Sequence, residues 1–225
     1  CSGLTSLTIP STVTSIAYRA FEGCSGLTSM YIPDSVTELG SQLFVYTGVT
    51  SVSLGAIVET KTMNTPLNGC QNLSVTVREG LSTIGENAFS NCSYMTSVTL
   101  PESLTSINRY AFNSCSGLTS LAIPAGVTSI GEGAFRSCTG LTTLNIPSGV
   151  TSIESSLFSS CTGLTSITLP EGLTSIGQYA FDYCSGLTSL TIPSTVTSIA
   201  FRAFEGCTGL TSMYIPDSVA ALGNQ

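Results

Sequence analysis

The sequence contains no histidine and no tryptophan, and only 8% of its 225 residues are charged. Histidine is the commonest general base and a frequent metal ligand, so its absence removes the usual middle member of hydrolytic triads. Six basic residues stand against thirteen acidic ones, which gives a net charge of -7. This balance excludes a nucleic acid partner, because nucleic acid binding needs a basic stripe. With 42% hydrophobic residues, the chain is nevertheless expected to fold.

Long hydrophobic runs are also missing. No stretch approaches the roughly 18 apolar residues that cross a bilayer, so we expect no direct membrane span in this chain. No basic start followed by an apolar run marks a signal peptide. Terminal units of a repeat array usually carry polar caps, and neither end of this sequence has one. We therefore expect the chain to be an excerpt of a longer array.

The sequence is dominated by an internal repeat. Most intervals between its nine cysteines are 23 residues, and Tyr46 takes the place of a tenth cysteine. Each unit reads approximately C-[ST]-G-L-T-S-L-x-I-P-x-x-V-T-S-I-x-x-x-A-F-x-x, with a clean copy from Cys115 to Ser137. The pattern predicts about ten units of 22 to 24 residues.

Each unit carries the signals of a short strand followed by a corner. The spacing L-x-x-L-x-I ends in the alternation of a strand with one buried face, and proline then ends the strand because it lacks the ladder amide. V-T-S-I provides a second inward-facing segment, and Ala-Phe fills the corner before the next unit. One unit cannot bury its own apolar side, so stacked units must share a core. The sequence predicts a single domain over residues 1–225, a mostly β repeat solenoid with a parallel strand ladder and short irregular segments.

The motif L-T-S-L-x-I-P-x-x-V-T-S-I-x-x-x-A-F-x-x-C resembles the BspA-like subclass of leucine-rich repeats over essentially the whole chain. The resemblance implies a leucine-rich-repeat-like right-handed coil with irregular segments on its convex side. Members of that family are bacterial and protist surface antigens, often described as adhesins that bind host proteins such as fibronectin or fibrinogen, or other bacteria. An extracellular or cell-surface location is therefore implied, although repeat families share scaffolds more reliably than ligands.

Two irregular units, residues 46–91, depart from the pattern. Gly55 and Arg78 stand where other units have proline, and the third unit lacks the V-T-S-I and Ala-Phe signals. An irregular loop that carries Lys61, Met63 and Arg78 is a candidate recognition site on an otherwise uniform surface. The alternative is sequence drift, tolerated because the loop faces solvent.

The outward positions of the predicted strands form a candidate protein-binding face. In a leucine-rich solenoid these positions line the concave side, and aromatic residues there are typical of binding hot spots. Tyr31 and Tyr214 are the large side chains at these positions, with Asn145 between them in the sequence. The alternative is a pair of exposed tyrosines inherited by duplication, since residues 1–36 and 184–219 differ at only two positions.

The cysteines occupy one position of the repeat, so neighbouring thiols belong to successive layers. Equivalent atoms of a ladder lie roughly 4.8 Å apart, which exceeds the usual Cβ separation in a disulfide. We predict a buried, reduced thiol column that acts as small apolar filler, with scattered disulfides or a metal site as alternatives. Cys1 is also a possible lipidated first residue of a bacterial lipoprotein, but its sequence context equals that of Cys184. Threonine columns are expected to hydrogen-bond between layers.

These observations predict a non-enzymatic scaffold. Paired carboxylates and glycine-rich phosphate loops are absent from the sequence, and we predict no catalytic, cofactor or metal site. The leading hypothesis is a surface adhesin that binds host extracellular proteins or other microbial surface proteins. The alternative is a passive stalk or spacer that projects another domain.

Overall fold

The computed structural model describes residues 1–223, so the last two residues of the predicted domain, 224 and 225, lie outside the described residues. The chain forms a parallel-strand β-solenoid of about nine turns. Its strands are short and are, in chain order, β1 (Ser15–Ile16), β2 (Ser29–Tyr31), β3 (Glu38–Leu39), β4 (Ser51–Leu54), β5 (Leu73–Val77), β6 (Thr83–Ile84), β7 (Met95–Thr99), β8 (Ser106–Ile107), β9 (Ser129–Ile130), β10 (Thr143–Asn145), β11 (Ser152–Ile153), β12 (Ser166–Thr168), β13 (Ser175–Ile176), β14 (Ser198–Ile199) and β15 (Ala221–Leu222).

Two parallel ladders connect one unit to the next. The first ladder, which we call the strand face, contains the sheets β2-β4-β5-β7 and β10-β12. The second ladder is built from the V-T-S-I segments and contains the sheets β1-β3, β6-β8-β9 and β11-β13-β14-β15. Register keeps equivalent residues side by side, so that Ile107 lies opposite Ile130. The predicted repeat solenoid with a parallel ladder is confirmed.

Alternation along each strand places one side chain inside and its neighbours outside. In β10 the pattern is exposed, buried, exposed, so Leu144 enters the core while Thr143 and Asn145 face outward. Proline follows closely after this strand at Pro147, as it does after β12 at Pro170. Because proline has no amide hydrogen for the ladder, it limits these strands to a few residues.

The Ala-Phe corner supplies the most regular part of the core. Phenylalanine rings of successive units stack with centroids 5.3–5.8 Å apart and planes 4–19° from parallel. Phe135 and Phe158, in the middle of this column, are fully buried. Leu67 takes the phenylalanine position in the third unit and separates Phe44 from Phe89. Rings such as Phe135 and Phe158 therefore link their own layer to the layers on both sides.

The corner also requires left-handed backbone at two positions of each regular unit. Tyr110 has φ 53° and Ser114 has φ 59°, and equivalent residues of other units repeat both values closely. Backbone hydrogen bonds to the following layer stabilise these conformations. The Tyr110 amide donates to the Glu132 carbonyl at 3.0 Å, and the Ser114 amide donates to the Arg136 carbonyl at 2.7 Å. Gly133 (φ 59°) takes this position in the next unit, where a Cβ would meet the Tyr110 ring of the preceding layer.

The third unit is the irregular one. A 3-10 helix (Ala56–Glu59) replaces its V-T-S-I strand, and a single helical turn, α1 (Asn64–Leu67), replaces its Ala-Phe corner. The Gly85 amide donates to Val58 at 2.9 Å, which joins this unit to the next one without a ladder. The Tyr94 hydroxyl donates to the Asn64 carbonyl at 2.7 Å and fixes the start of α1. The irregular unit is therefore packed into the solenoid.

Candidate interaction surface

The strand face presents two outward columns of side chains, where a column means equivalent positions in successive units. The first column is almost entirely serine, and the second is mixed. Parallel register and the 23-residue spacing align the second column as Tyr31, Ser53, Thr76, Thr99, Ala122, Asn145 and Thr168. Most of these side chains are small, so large residues in the column stand above their surroundings.

The three predicted binding residues lie in this second column but not in one patch. Tyr31 is 52% exposed and Tyr214 is 71% exposed, and Asn145 is also exposed. Tyr31 and Tyr214 are eight layers apart, a separation of about 38 Å at the strand spacing of a sheet. A single small partner surface cannot contact both tyrosines, so each must be considered by itself.

Tyr31 is held in place by Arg78. This contact joins a residue of the predicted protein-binding face to a residue of the predicted irregular loop. The guanidinium carbon of Arg78 lies 4.3 Å from the centroid of the Tyr31 ring. Its Nη1 donates to the Ile32 carbonyl at 2.8 Å and to the Ser53 carbonyl at 3.3 Å, and its Nη2 forms an ion pair with Asp34. Arg78 thus fixes one face of the Tyr31 ring while the other remains exposed.

Gly55 explains how Arg78 reaches two layers away. A Cβ at Gly55 would overlap the Asp34 carboxylate and the Arg78 guanidinium. The two departures from proline, at Gly55 and Arg78, therefore belong to one arrangement, which we call the Tyr31 clamp (Tyr31, Asp34, Gly55 and Arg78). Sequence reasoning did not include Asp34. The sequence signal that could have indicated this arrangement is the loss of proline at Gly55 and Arg78, in the two layers that follow Asp34.

The other two residues of the predicted irregular loop have different surroundings. Lys61 pairs with Glu38 across the layer boundary, with Nζ 2.8 Å from Oε1. Met63 is fully buried, and its amide donates to the Ala88 carbonyl at 2.6 Å. Met63 therefore belongs to the core, and the expectation of a solvent-facing loop does not hold for this residue. Hydrophobic burial explains why a methionine occupies an otherwise polar segment.

Tyr214 provides an internal comparison for the clamp. The segments 27–36 and 210–219 are identical in sequence, and both place a tyrosine three residues before an aspartate. Tyr214 is more exposed than Tyr31, and no arginine stacks on it within residues 1–223. The same peptide is thus organised by its neighbours at one end of the described chain and not at the other.

The cysteine column is buried between the corner and the strand face. The nine thiols are free, and seven of them, from Cys24 to Cys184, are buried. The Cys138 thiol donates to the Phe112 carbonyl at 3.0 Å, and the equivalent thiols of four other units repeat this bond. Desolvation raises the pKa of Cys138 to about 12. A thiolate is therefore strongly disfavoured, and the column fills the core as a set of weak donors.

The family of these repeats is identified by a match to a protein-family model. The model of the BspA type leucine rich repeat region matches residues 1–117, 60–188 and 105–225, which together span the sequence. The chain belongs to the BspA-type leucine-rich repeat family. Repeats of this kind are typically non-enzymatic scaffolds. Among curated proteins, none matches the chain.

Solved structures show the same coil as this BspA-type array. A leucine-rich repeat protein from Bacteroides ovatus is 27% identical with a TM-score of 0.67, and the match covers 99% of this chain and 63% of that protein. A leucine rich repeat protein from T. pallidum is 25% identical with a TM-score of 0.64, and the match covers 92% and 91% of the two chains. A leucine-rich repeat protein from Eubacterium ventriosum, 24% identical with a TM-score of 0.50, shares the fold. This chain spans less than two thirds of the Bacteroides ovatus protein.

The threonine columns of the BspA-type repeat donate their hydroxyl groups to backbone carbonyls of the preceding layer. Thr174 Oγ1 donates to the Thr151 carbonyl at 2.9 Å, and Thr165 Oγ1 donates to the Thr142 carbonyl at 3.1 Å. Each hydroxyl therefore adds an inter-layer bond beside the ladder. The prediction of inter-layer bonding is confirmed, with a carbonyl acceptor in place of a neighbouring hydroxyl.

No helix among residues 1–223 is long and apolar enough to cross a membrane. In the same range, no group of three or more cysteine, aspartate or glutamate side chains is arranged to hold a metal ion.

Proposed function

We propose that this BspA-type array is a non-enzymatic scaffold that binds other proteins through its strand face at the cell surface. The Tyr31 clamp is the observation that carries the proposal. A half-exposed tyrosine, fixed by an arginine, rises from a face of small hydroxyl side chains. Family membership supports the surface location and the protein ligand, as the resemblance of the repeat motif implies.

The clamp lowers the cost of using Tyr31 as an anchor. Arg78 makes four polar or aromatic contacts, so the tyrosine on which it stacks has less rotamer freedom to lose on binding. Rigid tyrosines surrounded by small side chains are typical centres of binding energy. The Asp34 side chain, which pairs with the arginine that stacks on the ring, is 64% exposed and offers an acceptor to the partner.

We further propose that the array acts as an adhesin for host extracellular or other microbial surface proteins. The test is binding of the purified array to immobilised fibronectin, fibrinogen and whole bacterial cells. We expect saturable binding to at least one of these at micromolar concentration. Absence of saturable binding to all of them, together with an adhesive domain elsewhere in the full-length protein, would overturn the adhesin role.

Paired tyrosine variants test whether the clamp is the anchor. Tyr31→Ala is expected to weaken binding by about 30-fold, which corresponds to about 2 kcal/mol for a hot-spot tyrosine. Tyr214→Ala is the matched control, because it removes the same side chain from the same decapeptide without a clamp. If both variants weaken binding equally, or neither does, the clamp is not the anchor.

A second candidate function is a passive stalk that projects another domain. The phenylalanine column, unbroken from Phe89 to Phe204, favours it, since each stacked pair of rings adds a contact between adjacent layers. Single-molecule stretching distinguishes the two functions when it is combined with the binding assay. A stalk predicts mechanical resistance without any ligand.

A further inference from the structure

The strand face opens between β7 and the unit that follows it. Residues 121–124 form no strand, and Ser120 forms only an isolated bridge, to Thr143 in the layer that follows. The sheet that begins at β2 therefore ends at β7, and the next sheet of this face begins at β10. Ala122 stands where the neighbouring layers have the larger side chains of Thr99 and Asn145.

A groove marks this interruption. On one side of Ala122 a space of about 430 Å³ extends toward Thr99 and Glu102, and on the other a space of about 410 Å³ extends toward Asn145. Both spaces share Ala122 and Ile123 as lining residues. We call this feature the Ala122 groove. It includes Asn145, which the sequence had already singled out on this face.

An equivalent position three units later shows what creates the groove. There, Thr168, Glu171, Thr191 and Pro193 occupy the places of Thr99, Glu102, Ala122 and Pro124, and the strand ladder is again interrupted. The space at this second position is about 220 Å³, roughly half as large. Among the lining residues, Thr191 replaces Ala122 on the outward face and Ile167 replaces Val98 in the core. The outward threonine side chain occupies space that Ala122 leaves open.

The edge of the Ala122 groove is acidic and has no counter-charge. Glu102 is exposed and lines the groove, and none of the five ion pairs within residues 1–223 includes it. The neighbouring Glu79 accepts the Glu102 amide through Oε1 at 3.2 Å, which places a second carboxylate nearby. The basic residues nearest to these two carboxylates along the chain are Arg78, next to Glu79, and Arg109, after Glu102. Both are already paired, Arg78 with Asp34 and Arg109 with Glu132. The groove therefore combines an apolar floor with an unneutralised negative edge.

We infer that the Ala122 groove is a binding site for a lysine or arginine side chain of a partner polypeptide. The aliphatic stem lies over Ala122 and Ile123, and the cationic head reaches the Glu102 carboxylate. Basic side chains combine an apolar stem with a charged end, which matches the two parts of the groove. The inference rests on the proposed protein-binding function for its biological partner, whereas the groove can be tested with a peptide alone.

The test is a nuclear magnetic resonance titration of the ¹⁵N-labelled chain with the peptide acetyl-Gly-Ser-Lys-Ser-Gly-amide. The same peptide with norleucine in place of lysine serves as the uncharged control. We expect saturable shifts of the Glu102, Ala122 and Ile123 amides with the lysine peptide. The norleucine peptide is expected to bind about two- to fivefold more weakly, as the loss of an exposed ion pair predicts.

Four variants separate the groove from general attraction to an acidic protein. Ala122→Thr introduces the threonine that the equivalent position, Thr191, carries, and it should abolish the saturable shifts. Glu102→Gln should weaken binding of the lysine peptide about two- to fivefold. Thr191→Ala should create a second site with new shifts at Glu171. Glu171→Gln in the otherwise unchanged chain is the charge-matched control and should have no effect.

Either of two results would overturn the inference. One is equal shifts at unrelated carboxylates such as Glu154, which would indicate unspecific attraction. The other is unchanged binding by Ala122→Thr when its circular dichroism spectrum matches that of the original chain. Failure of the groove with a retained effect of Tyr31→Ala on partner binding would leave the proposed function intact. Loss of both effects would reject the strand face as the binding surface.

Discussion

Raising the pH should unfold this protein through its thiol column. Burial raises the pKa of Cys70, Cys92 and Cys138 to about 12, and raises the pKa of Cys115, Cys161 and Cys184 in the same direction. The ordinary thiol value is 9.0. Below about pH 9 the folded and unfolded chains both keep these protons, so stability is at its full value. Above it, only the unfolded chain releases them, and the free energy of unfolding falls as the pH rises toward 12.

The expected loss is large because the thiols repeat. Each buried thiol that ionises only in the unfolded state lowers the free energy of unfolding by about 1.4 kcal/mol per pH unit. The loss begins only near the ordinary thiol pKa of 9.0. By about pH 10, six such thiols together have lowered the free energy of unfolding by about 8 kcal/mol. Domains of ordinary stability are held by about 5–15 kcal/mol, so we expect the array to unfold near pH 10.

Urea denaturation followed by circular dichroism measures this effect at a series of pH values between neutrality and about pH 10. A variant with Cys115, Cys138 and Cys161 replaced by alanine is the matched control, and its stability should depend on pH about half as steeply. A thiol reagent at neutral pH should label the exposed Cys1 rapidly and the buried cysteines only after unfolding. A free energy of unfolding that stays constant up to about pH 10 would refute the reasoning.

Three further substitutions test the packing and the clamp. Phe135→Ala should lower the free energy of unfolding by about 3–5 kcal/mol, because it removes a fully buried ring that stacks on both neighbours. Thr128→Ala, at an exposed position, should lower it by less than about 1 kcal/mol. Similar urea midpoints for the two variants would contradict the assignment of Phe135 to the core and Thr128 to the surface. Gly55→Ala should cost about 1 kcal/mol or less, because its Cβ displaces only the ends of the Arg78 and Asp34 side chains, but it should weaken partner binding as Tyr31→Ala does; unchanged binding would argue against the clamp.

Much of the fold could be predicted because the repeat reports the same information many times. Leu121 and Leu144 occupy equivalent positions, and alternation with a period of two assigns both to the core, where the structure places them. Phe135 could be assigned to the corner for the same reason. Parallel pairing followed from the fact that one unit cannot bury its apolar side alone.

The irregular third unit shows where this reasoning stops. Met63 lies in a polar segment without periodicity, so nothing in the sequence indicated that it enters the core. The left-handed corner positions were also missed, because the residues there range from Tyr110 to Ser156 and share no side-chain chemistry. Backbone hydrogen bonds to the next layer decide these conformations, and such bonds exist only in the stacked coil.

Composition and a 23-residue period were enough to predict the coil, its core columns and the absence of histidine chemistry. Which surface residues meet depends instead on how the layers stack. Arg78 lies 47 residues from Tyr31 in the sequence, yet stacking of the layers brings its guanidinium onto the ring. The Ala122 groove likewise depends on a ladder that fails to close between two layers. A period describes the contacts that every layer shares, whereas a site arises where layers differ, and those differences act through space.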